Sequence, residues 1–269
     1  MIGSDDLLIT SRSNRFVRLI RSLQRRAGRH QERAFVVEGE RTVFDAIATG
    51  AAPSLIVVRE GWRPTSDYFA QALAGVPAHS IKIMESSLFS ALSNTVSPAG
   101  IIAVFPFPRP PVSDKVALIV IADGLRDPGN LGSLIRAAAG AGATEVLTTS
   151  ETVDPFNPKS VRAGMGAHFR IPVVPYRDAD RRELVARCGI RVLAEGGSHP
   201  PPEAIDWTEP ALLIIGGEAF GARAKAIELT NHRVSIPLQS GIESLNAAVA
   251  GAVVLFEAAR QRRRGKRVD

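Results

Sequence analysis

The continuous apolar run VALIVIAD (116–123) constrains this chain more than any other feature. An apolar run without polar alternation suits a strand buried on both faces, and such strands belong to parallel sheets covered by helices. The downstream pattern agrees. Residues 130–141 read as a helix, EVLTTS (145–150) as a strand and 158–167 as a helix. FRIPVV (169–174), IRVLAE (190–195), ALLIIGG (211–217) and RVSIPL (233–238) read as strands, with a helix at 180–188. A long closing helix runs from Ser244 to about residue 263. Strands alternating with helices imply an α/β domain over 116–269.

The first half repeats the alternation on a smaller scale. AFVVEG (34–39), SLIVV (54–58), SIKIM (80–84) and IIAVF (101–105) read as strands. Helices fit 40–49, closed by Gly50, and 86–92. A small α/β domain therefore covers 34–105. Prolines at 106, 108, 110 and 111 stiffen the segment that follows and bar both helix and central strand, so 106–115 reads as the linker. Residues 1–33 form a separate amphipathic helix. It starts near Thr10 or Ser11, with Phe16, Ile20, Leu23 and Ala27 on one face and Arg12, Arg15, Arg18 and Arg21 on another.

Charge is concentrated at the ends. Residues 1–33 carry +5 and residues 257–269 carry +4, against +6 for the whole chain, so the middle is net negative. An acidic body with basic ends suits a polyanionic partner, although two solvated helices would show the same pattern. No apolar run approaches the ~20 residues of a bilayer span, and the start lacks a secretory pattern. The single cysteine, Cys188, excludes an internal disulfide framework and a multi-thiolate zinc site, and it fits a reducing cytoplasm. Packing at a helix–strand junction accounts for it.

Three stretches at the carboxyl ends of strands look unlike scaffold, and strand ends are where open α/β sheets bind ligands. In DGLRDPGNLGSLIRAAAGAGA (123–143), Asn130 caps a helix and Arg136 follows six residues on. Taken alone, Arg136 reads best as half of a salt bridge. The loop lacks the G-x-G-x-x-G spacing of a dinucleotide site, which argues against a nicotinamide-dependent oxidoreductase. In LLIIGGEAFGAR (212–223), paired glycines leave backbone amides open and Glu218 sits in a tight loop. A plain turn with a solvated glutamate explains it about as well. In the third stretch, SIPL (235–238) leads to Ser244, which can cap the last helix, and to Asn246 in its first turn.

Together NLGSLIR (130–136), IGGEAFG (215–221) and SIPL…SLN (235–238, 244–246) resemble, in order and spacing, the three motifs of the SpoU (TrmH-like) family of RNA 2′-O-ribose methyltransferases. FVVEGERTVFDAIATG (35–50) is similar to that family's L30-like substrate-binding domain. The resemblance implies a parallel α/β catalytic domain with a deep trefoil knot of the SPOUT type, beside a smaller L30-like α/β domain. It also implies S-adenosylmethionine as cofactor, no metal, and a homodimer in which the slim last helix takes part. By the same resemblance, Arg136 acts on the ribose 2′-hydroxyl, with Asn130, Glu218, Ser244 and Asn246 as the other catalytic positions. Gly216, Gly217, Ile236, Leu238 and Leu245 match the cofactor contacts. Three departures stand out: Gly217 replaces the usual Ser or Ala, Ala219-Phe220-Gly221 replaces Gly-x-Gly, and Ala247-Ala248 replaces Val-Ser.

Arg15, Arg18, Arg25, Arg26, Arg29 and Arg162 are the candidate RNA contacts, Arg162 reading equally as a surface arginine. The expected partner is structured RNA, with 23S rRNA favoured over tRNA. The competing reading is a basic module that binds RNA or the ribosome without chemistry.

Overall fold

The computed structural model describes residues 8–93, 95, 97–110, 117–177, 179, 181–218 and 221–265. Much of the expected linker and the Ala219-Phe220 departure lie outside these. The chain forms two compact units, Met1–Arg109 with Phe156–Arg162, and Pro110–Pro155 with Ala163–Asp269.

The first half contains α1 (Arg15–Leu23), α2 (Arg26–Glu32), β1 (Ala34–Glu38), α3 (Glu40–Ala48), β2 (Leu55–Arg59), α4 (Asp67–Ala74), β3 (Ile81–Met84), α5 (Ser86–Ser90) and β4 (Ile101–Pro106). Its sheet has the order β1-β4-β2-β3; β4 is antiparallel to both neighbours and β2 is parallel to β3. Phe156 returns to this unit, with its ring 4.5 Å from Phe107 and 4.9 Å from Phe35.

The expected single N-terminal helix is two. Asn14, not Thr10 or Ser11, opens α1 by accepting from Phe16 N–H at 2.9 Å. Val17, Ile20 and Leu23 are fully buried, whereas Ala27 is exposed on α2. A Cβ on Gly28 would lie 2.1 Å from the Ser22 carbonyl oxygen, so only glycine allows this close approach. Arg29 is buried. Its guanidinium donates to the carbonyls of Leu23 at 2.9 Å and Gln24 at 3.0 Å, satisfying acceptors that the end of α1 leaves open. This corrects its assignment as an RNA contact: Arg29 is spent inside the unit.

The second half contains β5 (Leu118–Asp123), α6 (Pro128–Ala141), β6 (Glu145–Thr148), α7 (Pro158–Gly164), β7 (Val173–Pro175), α8 (Arg181–Arg187), β8 (Ile190–Ala194), β9 (Ala211–Gly216), α9 (Ala224–Ile227), β10 (His232–Val234) and α10 (Ala247–Gly265). The six-stranded sheet, ordered β10-β8-β9-β5-β6-β7, is parallel throughout. Its two faces divide β5 by alternate residues, the period of a pleated strand. Leu118, Val120 and Ala122 enter the cluster with Leu134, Ile135, Val254 and Leu255 of α6 and α10. Ile119 and Ile121 enter the opposite cluster with Leu184 of α8 and Ala226 of α9. The continuous apolar run therefore meant burial on both sides.

Several boundaries moved. Asp127, not Asn130, caps α6, accepting from Asn130 N–H at 2.9 Å, and Pro128 opens the helix with its preset φ. FRIPVV contributes only the last residues of its run to β7, and RVSIPL leaves the sheet after Val234. Asn246 caps α10 in place of Ser244: its Oδ1 accepts from Ala248 N–H at 3.0 Å and Val249 N–H at 3.2 Å. Cys188 is buried, and burial pushes its thiol up to about 11.

His168 is also buried, and loss of solvation pushes its pKa down from 6.5 to about 4. As pH falls through this window, the unfolded chain binds the proton first. Stability is therefore full above about 6.5, declines toward about 4 and levels off below. The contribution approaches roughly 3 kcal/mol, from 1.36 kcal/mol per pKa unit. The difference in unfolding free energy between wild type and His168→Gln should move against wild type by roughly 3 kcal/mol as pH falls from about 6.5 to about 4; a pH-independent difference in urea titrations refutes this.

Candidate functional site

The carboxyl ends of β8 and β9, with the segment after β10, enclose a cleft of about 720 Å3. That volume suits a small-molecule ligand. Gly216, Gly217, Ile236, Leu238, Leu245, Glu218, Ser244 and Asn246 all line it, so two of the three sequence stretches meet here. The third joins through one side chain. Asn246 Nδ2 donates to Asn130 Oδ1 at 2.9 Å, and Asn130 Nδ2 donates to Glu218 Oε1. The direction of this relay follows from the backbone. Asn246 must turn its oxygen to the N–H groups of α10, so its amide nitrogen faces Asn130, whose own nitrogen then faces the carboxylate.

Glycine is required where β9 ends. A Cβ on Gly216 would lie 2.3 Å from Ala222 N, and one on Gly217 would lie 2.4 Å from the Gly124 carbonyl oxygen. The loop closes on itself, with Gly217 N–H donating to Gly221 O at 3.2 Å and Gly221 N–H to Gly217 O at 2.9 Å. Its far end is fastened to β5. The fully buried Asp123 accepts from the Arg223 backbone N–H and from Nε, each at 2.7 Å. The sequence reading gave neither residue a role. The available signal was an aspartate at the tip of an apolar strand, where a buried carboxylate needs a donor.

Segment 236–245 is open. Among the described residues it donates one backbone N–H in a hydrogen bond, from Ile242 to Gln239 O at 3.3 Å. Leu238 and Ile242 remain 36% and 57% exposed. The cleft thus presents apolar walls, unspent peptide groups and the carboxylates of Glu195, Glu218 and Glu243. These features fit a ligand with a flat apolar part, hydrogen-bonding edges and positive charge.

Arg136 differs from its sequence reading. It is exposed on α6, and among the described residues it makes no hydrogen bond or ion pair, so the salt bridge expected of it is absent. It does not line the cleft. In the first unit Arg15, Arg18, Arg25 and Arg26 are exposed, and Arg15 lies over the Phe16 ring at 4.6 Å; Arg162 is half-buried. Among the described residues no helix is long and apolar enough to cross a membrane, and no group of three or more His, Cys, Asp or Glu is placed to hold a metal ion.

Comparison with known proteins gives this architecture a family. The SpoU rRNA Methylase family profile matches residues 117–256, and the MRM3-like substrate binding domain profile matches 14–103. The chain is 32% identical to human mitochondrial rRNA methyltransferase 3, over 87% of this chain and 69% of that protein. It is 31% identical to the Bacillus subtilis 23S rRNA (guanosine(2553)-2′-O)-methyltransferase RlmP, over 92% and 97% respectively. The crystal structure of the SpoU methyltransferase AviRb from Streptomyces viridochromogenes in complex with AdoMet superposes with a TM-score of 0.81 at 27% identity, covering 94% of this chain and all of that one. Fold and cleft together define an RNA methyltransferase that uses S-adenosylmethionine. The chain belongs to the SpoU rRNA methylase family. The cleft fits that cofactor: apolar side chains suit the adenine, open peptide groups its polar edges, and carboxylates its sulfonium charge.

Proposed function

We propose that this chain methylates a ribose 2′-hydroxyl of 23S ribosomal RNA. The observation that carries the reading is the hydrogen-bonded relay from Asn246 through Asn130 to Glu218 at the edge of the glycine-floored cleft. Bound S-adenosylmethionine supplies an electrophilic methyl group on sulfonium. The protein positions the two reactants and manages the hydroxyl proton. Gly216, Gly217, Ile236, Leu238 and Leu245 hold the donor. Glu218, oriented by Asn130, and Ser244 fix the mouth of the cleft. Arg136, an unpaired cation, acts on the 2′-oxygen, either taking its proton or stabilising the developing alkoxide. The knotted threading of residues 235–246 and a cytoplasmic location belong to the same reading.

Homodimerisation is part of it too. Val249, Val253 and Phe256 form an exposed stripe on α10, 49%, 44% and 48% exposed, at the helical spacing of a packing face. A second copy is the occupant that the family reading calls for.

Purified protein with labelled donor should transfer label to 23S rRNA from a strain lacking the gene, at one ribose. Transfer to tRNA alone would replace the substrate, and no transfer to any RNA would leave only a binding module.

The exposed arginines of the first unit hold the phosphate backbone in this reading. The double variant Arg15→Gln/Arg18→Gln should bind an rRNA fragment about tenfold more weakly at low salt. The slope of log affinity against log salt should fall by between about 1 and 2. Donor affinity should not move. An unchanged slope removes α1 from the RNA surface.

A further inference from the structure

The chain carries a net charge of +6, yet the donor cleft is acidic. Among the described residues, three glutamates line it and no lysine, arginine or histidine does. The three are not equivalent. Glu218 accepts from Asn130. Glu195 Oε1 accepts from Arg233 at 2.9 Å and lies 3.2 Å from His199 Nε2, so its charge is offset from outside the cleft. Glu243 is exposed and, among the described residues, has no hydrogen bond or ion pair. Of the three carboxylates it alone has no partner among the described residues, whereas Glu218 is held in place by a neutral amide and Glu195 is neutralised.

Methyl transfer changes the charge of what occupies the cleft. The S–CH3 bond of the sulfonium breaks, the O–CH3 bond forms, and the electron pair of the broken bond stays on sulfur. The ribose hydroxyl gives up its proton, to Arg136 where that residue takes it and otherwise to solvent, and S-adenosylmethionine becomes the neutral thioether S-adenosylhomocysteine. Substrate and product cofactors thus differ by one methyl group and one positive charge. A methyl group gives a cleft little purchase, whereas a unit charge beside an unpaired carboxylate gives it more.

We propose that Glu243 reads this charge: it is a specificity residue that tightens the cationic donor and leaves the spent cofactor alone, so that fresh donor outcompetes product for the cleft. The inference rests on the cleft being the S-adenosylmethionine site. In calorimetric titrations of the full chain, Glu243→Gln weakens S-adenosylmethionine about three- to tenfold. It weakens sinefungin, in which a protonated amine takes the place of the sulfonium, by a similar factor. S-adenosylhomocysteine binding stays within twofold, and Glu243→Asp restores the discrimination. Raising salt narrows the affinity ratio of donor to product in wild type and has little effect on it in Glu243→Gln. A purely structural role would weaken all three ligands alike. Equal weakening of all three, or no weakening of the cationic two, overturns the charge-reading role while leaving the cofactor site intact. Failure of wild type to bind S-adenosylmethionine overturns both.

Discussion

Arg136→Ala should lower methyl transfer by about a thousandfold while leaving donor affinity within about twofold. The split follows from where Arg136 sits. It does not line the cleft, so its removal takes nothing from the cofactor. It is exposed and unpaired among the described residues, so its removal breaks no internal ion pair. In the proposed reading, a cation with no described partner is free to meet an external anion. In this reading that anion is the ribose oxygen as it loses its proton. Because a surface guanidinium contributes little to folding, the melting temperature should stay within a degree or two. Arg136→Lys tests the role further: it keeps the charge and loses the planar fork, so partial activity would favour simple charge stabilisation. Near-wild-type turnover in the alanine variant would remove Arg136 from the reaction.

Gly216→Ala should act in the opposite way, on binding first. The added methyl would lie 2.3 Å from Ala222 N and 2.4 Å from the Gly221 carbonyl carbon. Both are backbone atoms of a loop pinned by Asp123 and by the Gly217–Gly221 pair, so neither yields by a rotamer change. The loop has to open, taking Glu218 away from Asn130. We expect donor affinity to fall at least about tenfold and stability to drop by about 1–3 kcal/mol, the usual scale of overpacking against a rigid neighbour. Calorimetry and urea denaturation measure the two separately. Wild-type affinity in this variant would show that the cleft floor is not a donor contact.

Much of this molecule was legible in the sequence, for identifiable reasons. Strand burial on both faces leaves an uninterrupted apolar run, so β5 and β9 could be read directly. A glycine pair at a strand end marks a place where backbone meets backbone or ligand without a side chain between, but for Gly216-Gly217 a plain turn fits that signal equally, and their assignment to a cofactor comes from the family resemblance. Long-range side-chain bonds leave no periodic trace. Asp123 and Arg223 are a hundred residues apart in the chain, and nothing local marks them as partners. Cap assignment failed for a related reason. Asp127 and Asn130 are both suitable caps, and only the turn of the chain at Pro128 decides between them. Arg29 was misread because composition counts an arginine as surface charge, whereas the break between α1 and α2 turns its fork onto two carbonyl groups.

The amide relay carries a last consequence for how such a site ages and evolves. Exchanging the Asn246 amide for a carboxylate would strengthen the cap, since an anion sits well at a helix start. It would also strip away the donor that Asn246 offers to Asn130, whose oxygen would then confront a negative neighbour instead of an N–H. Asn130 could recover by turning over, but it would then point oxygen at Glu218. A change as small as deamidation would therefore make the terminal helix sturdier and the mouth of the cleft discordant, so that a gain in helix stability and the order of the Asn130–Glu218 pair pull against each other at a single atom.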